Sequence, residues 1–171
     1  MLLGEVLCFQ HFSFRLLCCA LVRNDPTLIS LWSRVRVLMS LSVKTQAIYA
    51  RHYYNRTGWR VEPGKRYALK ATGQWIDFFI PSGPAGYASP SLLFYMSLLE
   101  PYRRVPEANW FALIGFIDSG NCSAEQHPVI IGEGLHHWRP GRAGELVCYA
   151  NDLPCLYWNN FGSVTLEIRE L

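Results

Sequence analysis

Asn151-Asp152-Leu153-Pro154-Cys155-Leu156-Tyr157-Trp158-Asn159-Asn160-Phe161-Gly162 runs directly into Ser163-Val164-Thr165-Leu166-Glu167-Ile168-Arg169, and the second half of this stretch decides the fold. Val164, Leu166 and Ile168 alternate with Thr165, Glu167 and Arg169, the period of two that a strand with one buried face requires. The twelve residues ahead of it carry one carboxylate and three carboxamides around Pro154. They read as a loop that enters a final strand.

The same alternation recurs upstream. Tyr67, Leu69 and Ala71 alternate within 66–72, behind a Pro63-Gly64 turn signal. Residues 110–117, 129–131 and 144–150 are further strand candidates, and Gly73, Gly83, Gly86, Gly120, Gly141 and Gly162 punctuate the series. Short strands divided by Gly and Pro turns predict an all-β chain, a jelly-roll β-sandwich. The segment 79–109 is less regular, because Pro81, Pro84, Pro90, Pro101 and Pro106 exclude a long element. Within it, 91–99 fits a short helix whose Leu92, Tyr95 and Met96 share one face, and that face is expected to pack into the core. A loop of this length is usually functional or carries short structure of its own.

With 171 residues, of which 50% are hydrophobic and 17% charged, the chain has room for one domain with a real core. A net charge of +3 gives no footing for a nucleic-acid partner, and Lys65-Arg66 and Arg103-Arg104 read as solvated charges on loops or strand edges. Cys8, Cys18 and Cys19 precede Cys122, Cys148 and Cys155, without a CxxC pair. That spacing argues against a disulfide framework and a zinc knuckle. Cys148 and Cys155 flank a turn, so they form either one bridge or two reduced thiols of a cytosolic chain.

Residues 1–38 do not match the remainder. The apolar run 16–22 is short and bounded by Arg15 and Arg23, and Glu5 sits where a secretory signal would be basic. Neither a convincing signal peptide nor a membrane span results, so a cytoplasmic location is expected, with secretion by another route as the alternative. The segment is either an extension, disordered or helical, or a stretch ahead of a true start at Met39. In both cases the expected domain is 39–171.

Enzyme signatures are missing. No GxSxG, HExxH, Walker or GxGxxG motif occurs. His136 and His137 are neighbours on a strand candidate and point to opposite faces. Cys122 with His127 has no specific spacing, and Glu100, Glu107, Glu125 and Glu133 are scattered without a defensible dyad. The chain is therefore expected to bind rather than catalyse. The loop from Asn151 to Gly162 offers the alternatives. Its oxygen-bearing side chains suit a hard cation such as Ca²⁺, and they equally suit an Asn/Asp turn bonded to its own backbone.

Several segments, in order, resemble one family. Residues 44–50 and Gly58-Trp59-Arg60-Val61-Glu62-Pro63-Gly64 are similar to a first strand and its following Pro-Gly turn. Ala71-Thr72-Gly73-Gln74-Trp75, Phe111-Ala112-Leu113-Ile114-Gly115-Phe116-Ile117 and Gly134-Leu135-His136-His137-Trp138 follow in sequence. Asn151-Asp152-Leu153-Pro154 with Tyr157, Asn159, Asn160, Gly162 and Ser163 is the most specific piece. Together they resemble the bacterial galactophilic lectin family (LecA-like), small calcium-dependent galactose-binding jelly rolls. The resemblance covers nearly all of the chain after Met39.

The resemblance implies that Asp152, Asn159 and Asn160 ligate Ca²⁺ through side chains. Leu156 would add a carbonyl, and a second carbonyl would come from near Asp77. Two hydroxyls of a galactose-type sugar would complete the shell, with Asp152, Leu153 and Asn159 also touching the sugar. Assembly as a homo-oligomer, often a tetramer, is implied as well. Asp152 would then be the one sure negative charge, and affinity would fall in the weak range of about 10⁻⁴–10⁻³ M.

The chain departs from the family where the sugar is gripped. Ser82 and Ala85 stand where the family has a His and a Gln, and the loop 87–108 is longer than its counterpart. Trp158 replaces a usual Gly, so it either stacks on the sugar or packs against the lengthened loop. The expected function is a calcium-dependent carbohydrate-binding module, with a calcium-stabilised interaction or structural module as the alternative.

Overall fold

The computed structural model describes residues 43–89, 94–120 and 127–171. The expectations for residues 1–38, for Leu92 and for Cys122 lie outside these. The strands are β1 (Lys44–Tyr49), β2 (Asn55–Val61), β3 (Tyr67–Asp77), β4 (Ile80–Ser82), β5 (Leu113–Asp118), β6 (Val129–Ile130), β7 (Gly134–Trp138), β8 (Gly144–Ala150) and β9 (Asn160–Glu170). A short helix, α1 (Phe94–Leu99), and two 3₁₀ turns, Glu100–Tyr102 and Tyr157–Asn159, lie between strands.

Two antiparallel sheets result, one in the order β1-β9-β3-β4 with β7 also on β3, the other in the order β2-β8-β5-β6. This is the expected all-β sandwich. In β9, Val164, Leu166 and Ile168 are fully buried, and the residues between them are not. They meet Ile48, Leu69, Ala71 and Trp75 of their own sheet and Leu113, Leu146, Cys148 and Ala150 of the other. Each such aliphatic side chain stabilises the fold by roughly 1.5–3 kcal/mol when fully buried. Trp75 and Phe111 close one end edge-to-face, with ring centroids 5.5 Å apart.

The β3, β9 and β5 boundaries differ from the sequence reading, each for a local reason. β3 and β9 both run through their glycines, Gly73 and Gly162, because the long β3–β9 ladder pairs eleven residues from Tyr67↔Glu170 to Asp77↔Asn160. The strand predicted from Trp110 begins only at Leu113, since Phe111 takes a left-handed backbone with φ 58°. Trp110 instead bridges Tyr87. Of the predicted helix, Phe94–Leu99 lies within the described residues and is helical, with Met96 buried as expected.

The segment between β4 and β5 is tied down by groups the sequence reading assigned elsewhere. Asn151 is fully buried, and its Oδ1 accepts the Val105 N–H at 3.0 Å. Its Nδ2 donates to the carbonyls of Val105 (2.9 Å), Ala108 (3.3 Å) and Asn109 (2.9 Å). One of the three loop carboxamides is therefore spent on folding the long segment. Arg103 and Arg104 are not the solvated charges expected. Arg103 is 8% exposed and lies over the Trp110 ring, 4.9 Å from its centroid. Arg104 lies 3.3 Å from the Tyr149 ring centroid and 4.1 Å from that of Tyr53, and its Nη1 donates to Tyr157 Oη at 2.9 Å. Cys148 and Cys155 are free thiols, the first buried and the second exposed. Among the described residues, no helix is long and apolar enough to cross a membrane.

Candidate cation and ligand site

β8 lies in one sheet and β9 in the other, so residues 151–159 must cross the end of the sandwich. The crossing is short and sharply folded. Pro154 fixes its own φ, Leu156 N–H donates to Leu153 O at 3.1 Å, and Asn159 N–H donates to Leu156 O at 3.2 Å. The 3₁₀ turn Tyr157–Asn159 then delivers Asn160 onto the end of β3, opposite Asp77.

This geometry gathers the predicted residues. Asp77, Asp152, Leu153, Leu156 and Asn159 line one cleft, with Tyr87, Trp110, Met96 and Phe79 completing its walls. Asn160 lies beneath it, fully buried. Asp152, 1% exposed, accepts the Leu153 N–H on Oδ1 at 2.6 Å and the Asn160 Nδ2 on Oδ2 at 2.9 Å. Those two bonds use about half of a carboxylate's acceptor capacity. The side-chain oxygens of Asn159 and Asn160 are buried and have no hydrogen-bond partner. Leaving such an acceptor unsatisfied costs roughly 1–3 kcal/mol.

The electrostatics follow from burial. Removal from water pushes the Asp152 carboxyl up to about 6, against the hydrogen bond from Asn160 and with the nearby Asp77 charge adding to the rise. Burial also raises Asp77, opposed by the hydrogen bond its Oδ2 accepts from the Tyr87 hydroxyl. The ion pairs among the described residues engage Arg56 and Lys65, and none reaches Asp77 or Asp152. Two carboxylates and two unpartnered carboxamide oxygens thus lie in and around one cleft, without an ion-pair partner among the described residues. No group of three His, Cys, Asp or Glu gathers among the described residues. The donors here are oxygen only, the set that Ca²⁺ takes in preference to softer metals.

Two residues of the cleft lining stand differently from the sequence reading. That reading enlisted Asp77 for a backbone carbonyl, and its carboxylate, bonded to the Tyr87 hydroxyl, is a second acidic group of the cleft lining beside Asp152. Tyr87 was not singled out. Its place depends on Gly86, at φ 73°, where a Cβ would lie 2.2 Å from Trp110 O. A Gly followed by an aromatic residue is too common a pair to have flagged it. Ser82 and Ala85 do not line the cleft. Ser82 is buried with Oγ donating to Gly83 O at 2.9 Å, and Ala85 is exposed. Trp158 is 66% exposed, so packing against the long segment does not bury it, and it stands outside the cleft lining. Phe78 and Phe79 are 59% and 60% exposed at the tip between β3 and β4.

No protein-family model matches the chain, and no curated protein matches its sequence. Among solved structures, the fold is similar to one described as the EclA N-terminal domain, a PllA-like lectin. The TM-score is 0.55 at 14% identity, over 74% of this chain and 95% of that one. The fold is thus lectin-like.

Proposed function

We propose that this chain is a carbohydrate-binding module whose ligand is held through Ca²⁺, as in the galactophilic lectins its sequence resembles. Asp152, Asn159 and Asn160 supply side-chain oxygens to the ion, and Leu156 and Asp77 supply carbonyls. The observation that carries the reading is the pair of buried, unpartnered oxygens on Asn159 and Asn160 beside a carboxylate that no ion pair among the described residues reaches. A hard cation satisfies all of them at once. The ion bridges protein and ligand, and vicinal hydroxyls of a galactose-type sugar replace its remaining waters. Asp152, Leu153, Asn159 and the exposed Trp158 contact that sugar. Such a module binds without catalysing, and clustering weak sites in a homo-oligomer would raise avidity.

Calorimetry of the full chain, with Ca²⁺ and then with galactose, glucose and mannose in turn, tests this. Sugar binding should need Ca²⁺ and vanish in EDTA, and Asp152→Ala should abolish Ca²⁺ binding while the fold survives. Glycan binding that persists in EDTA refutes the ion bridge.

A second reading has one observation in its favour: Ser82 and Ala85 leave the cleft without a side-chain grip on the sugar. In that case Ca²⁺ would raise the melting temperature by linkage with no glycan bound.

A further inference from the structure

The end of β3 contributes more to the site than backbone. Asp77 is 8% exposed, faces Asn160 across the β3–β9 ladder and lines the same cleft as Asp152 and Asn159. Its Oδ2 accepts the Tyr87 hydroxyl. Its Oδ1 is neither hydrogen-bonded nor sealed away among the buried unpartnered atoms. Asp77 and Asp152 line one cleft, and among the described residues no ion pair reaches either. Two carboxylates taken out of water next to each other are costly unless a cation joins them. The fully buried Asn160, with Oδ1 unpartnered, independently marks where that cation belongs.

We infer that the Asp77 carboxylate is itself a ligand of the cation, a second anionic donor beside Asp152. The inference rests on the calcium site proposed above. Its consequence is quantitative: charge count tunes calcium affinity over orders of magnitude, so a two-carboxylate site binds more tightly than about 10⁻⁴ M. Tyr87 is then a positioning residue. Its phenol holds one oxygen of Asp77 and turns the other toward the ion.

Calcium alone is the probe, titrated calorimetrically into the full chain and into Asp77→Asn, Asp77→Ser and Tyr87→Phe, with melting temperatures in EDTA. Asp77→Asn keeps the main-chain carbonyl and the side-chain shape but loses the charge. Calcium affinity should fall at least about tenfold, the scale on which ligand charge acts. The EDTA melting temperature should rise, because a buried charge has been removed. A purely structural role for Asp77 predicts the opposite sign in EDTA. Asp77→Ser gives the same affinity readout should the amide misfold, and Tyr87→Phe, which keeps the carboxylate and loses only its phenol partner, should weaken calcium binding less than either Asp77 variant. Unchanged calcium affinity in both Asp77 variants overturns the inference and leaves carbonyl ligation standing. No calcium binding by the parent chain overturns the site itself.

Discussion

Asn160 donates its Nδ2 to the Asp152 carboxylate at 2.9 Å, and in doing so leaves its own Oδ1 buried without a partner. The amide cannot be flipped to cure this, since Oδ1 would then face a carboxylate oxygen. An orientation that orphans one atom to serve another is the arrangement expected of a ligand cluster, where a cation accepts what the protein leaves over.

That cluster makes calcium-free stability depend on pH. The Asp152 carboxyl is raised to about 6 in the folded chain, against about 3.9 when unfolded. Between those values the folded chain binds more protons, so this group's contribution declines as pH rises through the window and is flat above it. In EDTA, the melting temperature of the parent relative to Asp152→Asn should fall from about pH 4 to pH 6. Calcium requires the ionised form, so its stabilising effect should be largest above pH 6 and shrink below it. A pH-independent difference between parent and variant in EDTA would dismiss this account.

Asn151 should behave differently from its neighbour. Its amide satisfies Val105, Ala108 and Asn109 together, so Asn151→Ala strands several buried backbone groups at roughly 1–3 kcal/mol each. We expect a loss of about 3 kcal/mol by denaturant titration. Calcium affinity should weaken only as the 151–159 crossing loosens. A variant as stable as the parent would contradict the bonding pattern.

The sandwich was legible because burial on one face imposes a period of two. Val164, Leu166 and Ile168 show it plainly, and Gly144–Ala150 emerges as a strand with the predicted ends. The proposed metal ligands came only from their spacing in a resembling family. The distinction between Asn151, which folds the long segment, and Asn160, which is bonded to Asp152, depends on which groups lie within reach. Arg104 was misread for a related reason. Its ring partners Tyr53, Tyr149 and Tyr157 are spread over more than a hundred residues, and a local charge pattern carries no trace of them.

Trp158 separates ion from ligand. It is 66% exposed beside Asn159, so Trp158→Ala should alter stability by less than about 0.5 kcal/mol and leave calcium affinity within about twofold. If its ring stacks on the sugar, affinity for the glycan falls by about 0.5–1.5 kcal/mol, a several-fold rise in Kd by calorimetry. Equal sugar affinity in both proteins would remove Trp158 from the ligand site.

Gly86 tests whether the cleft wall built by Tyr87 is needed at all. At φ 73° an L-residue is strained, and its Cβ would sit 2.2 Å from Trp110 O and 2.5 Å from Ala112 N. These are backbone atoms, and side-chain rotation cannot relieve the clash. Moving them would disturb the Tyr87 N–H to Trp110 O bond of 2.8 Å. Gly86→Ala should therefore destabilise by at least about 2 kcal/mol, the left-handed penalty alone being about 1–2. It should also withdraw the Tyr87 phenol from Asp77. Comparison with Tyr87→Phe divides the two effects. If the phenol only orients Asp77, Tyr87→Phe keeps the parent's melting temperature within a few degrees, whereas Gly86→Ala lowers both melting temperature and calcium affinity. Parent-like melting of Gly86→Ala would mean that the close approach of Gly86 to Trp110 is not part of the folded chain.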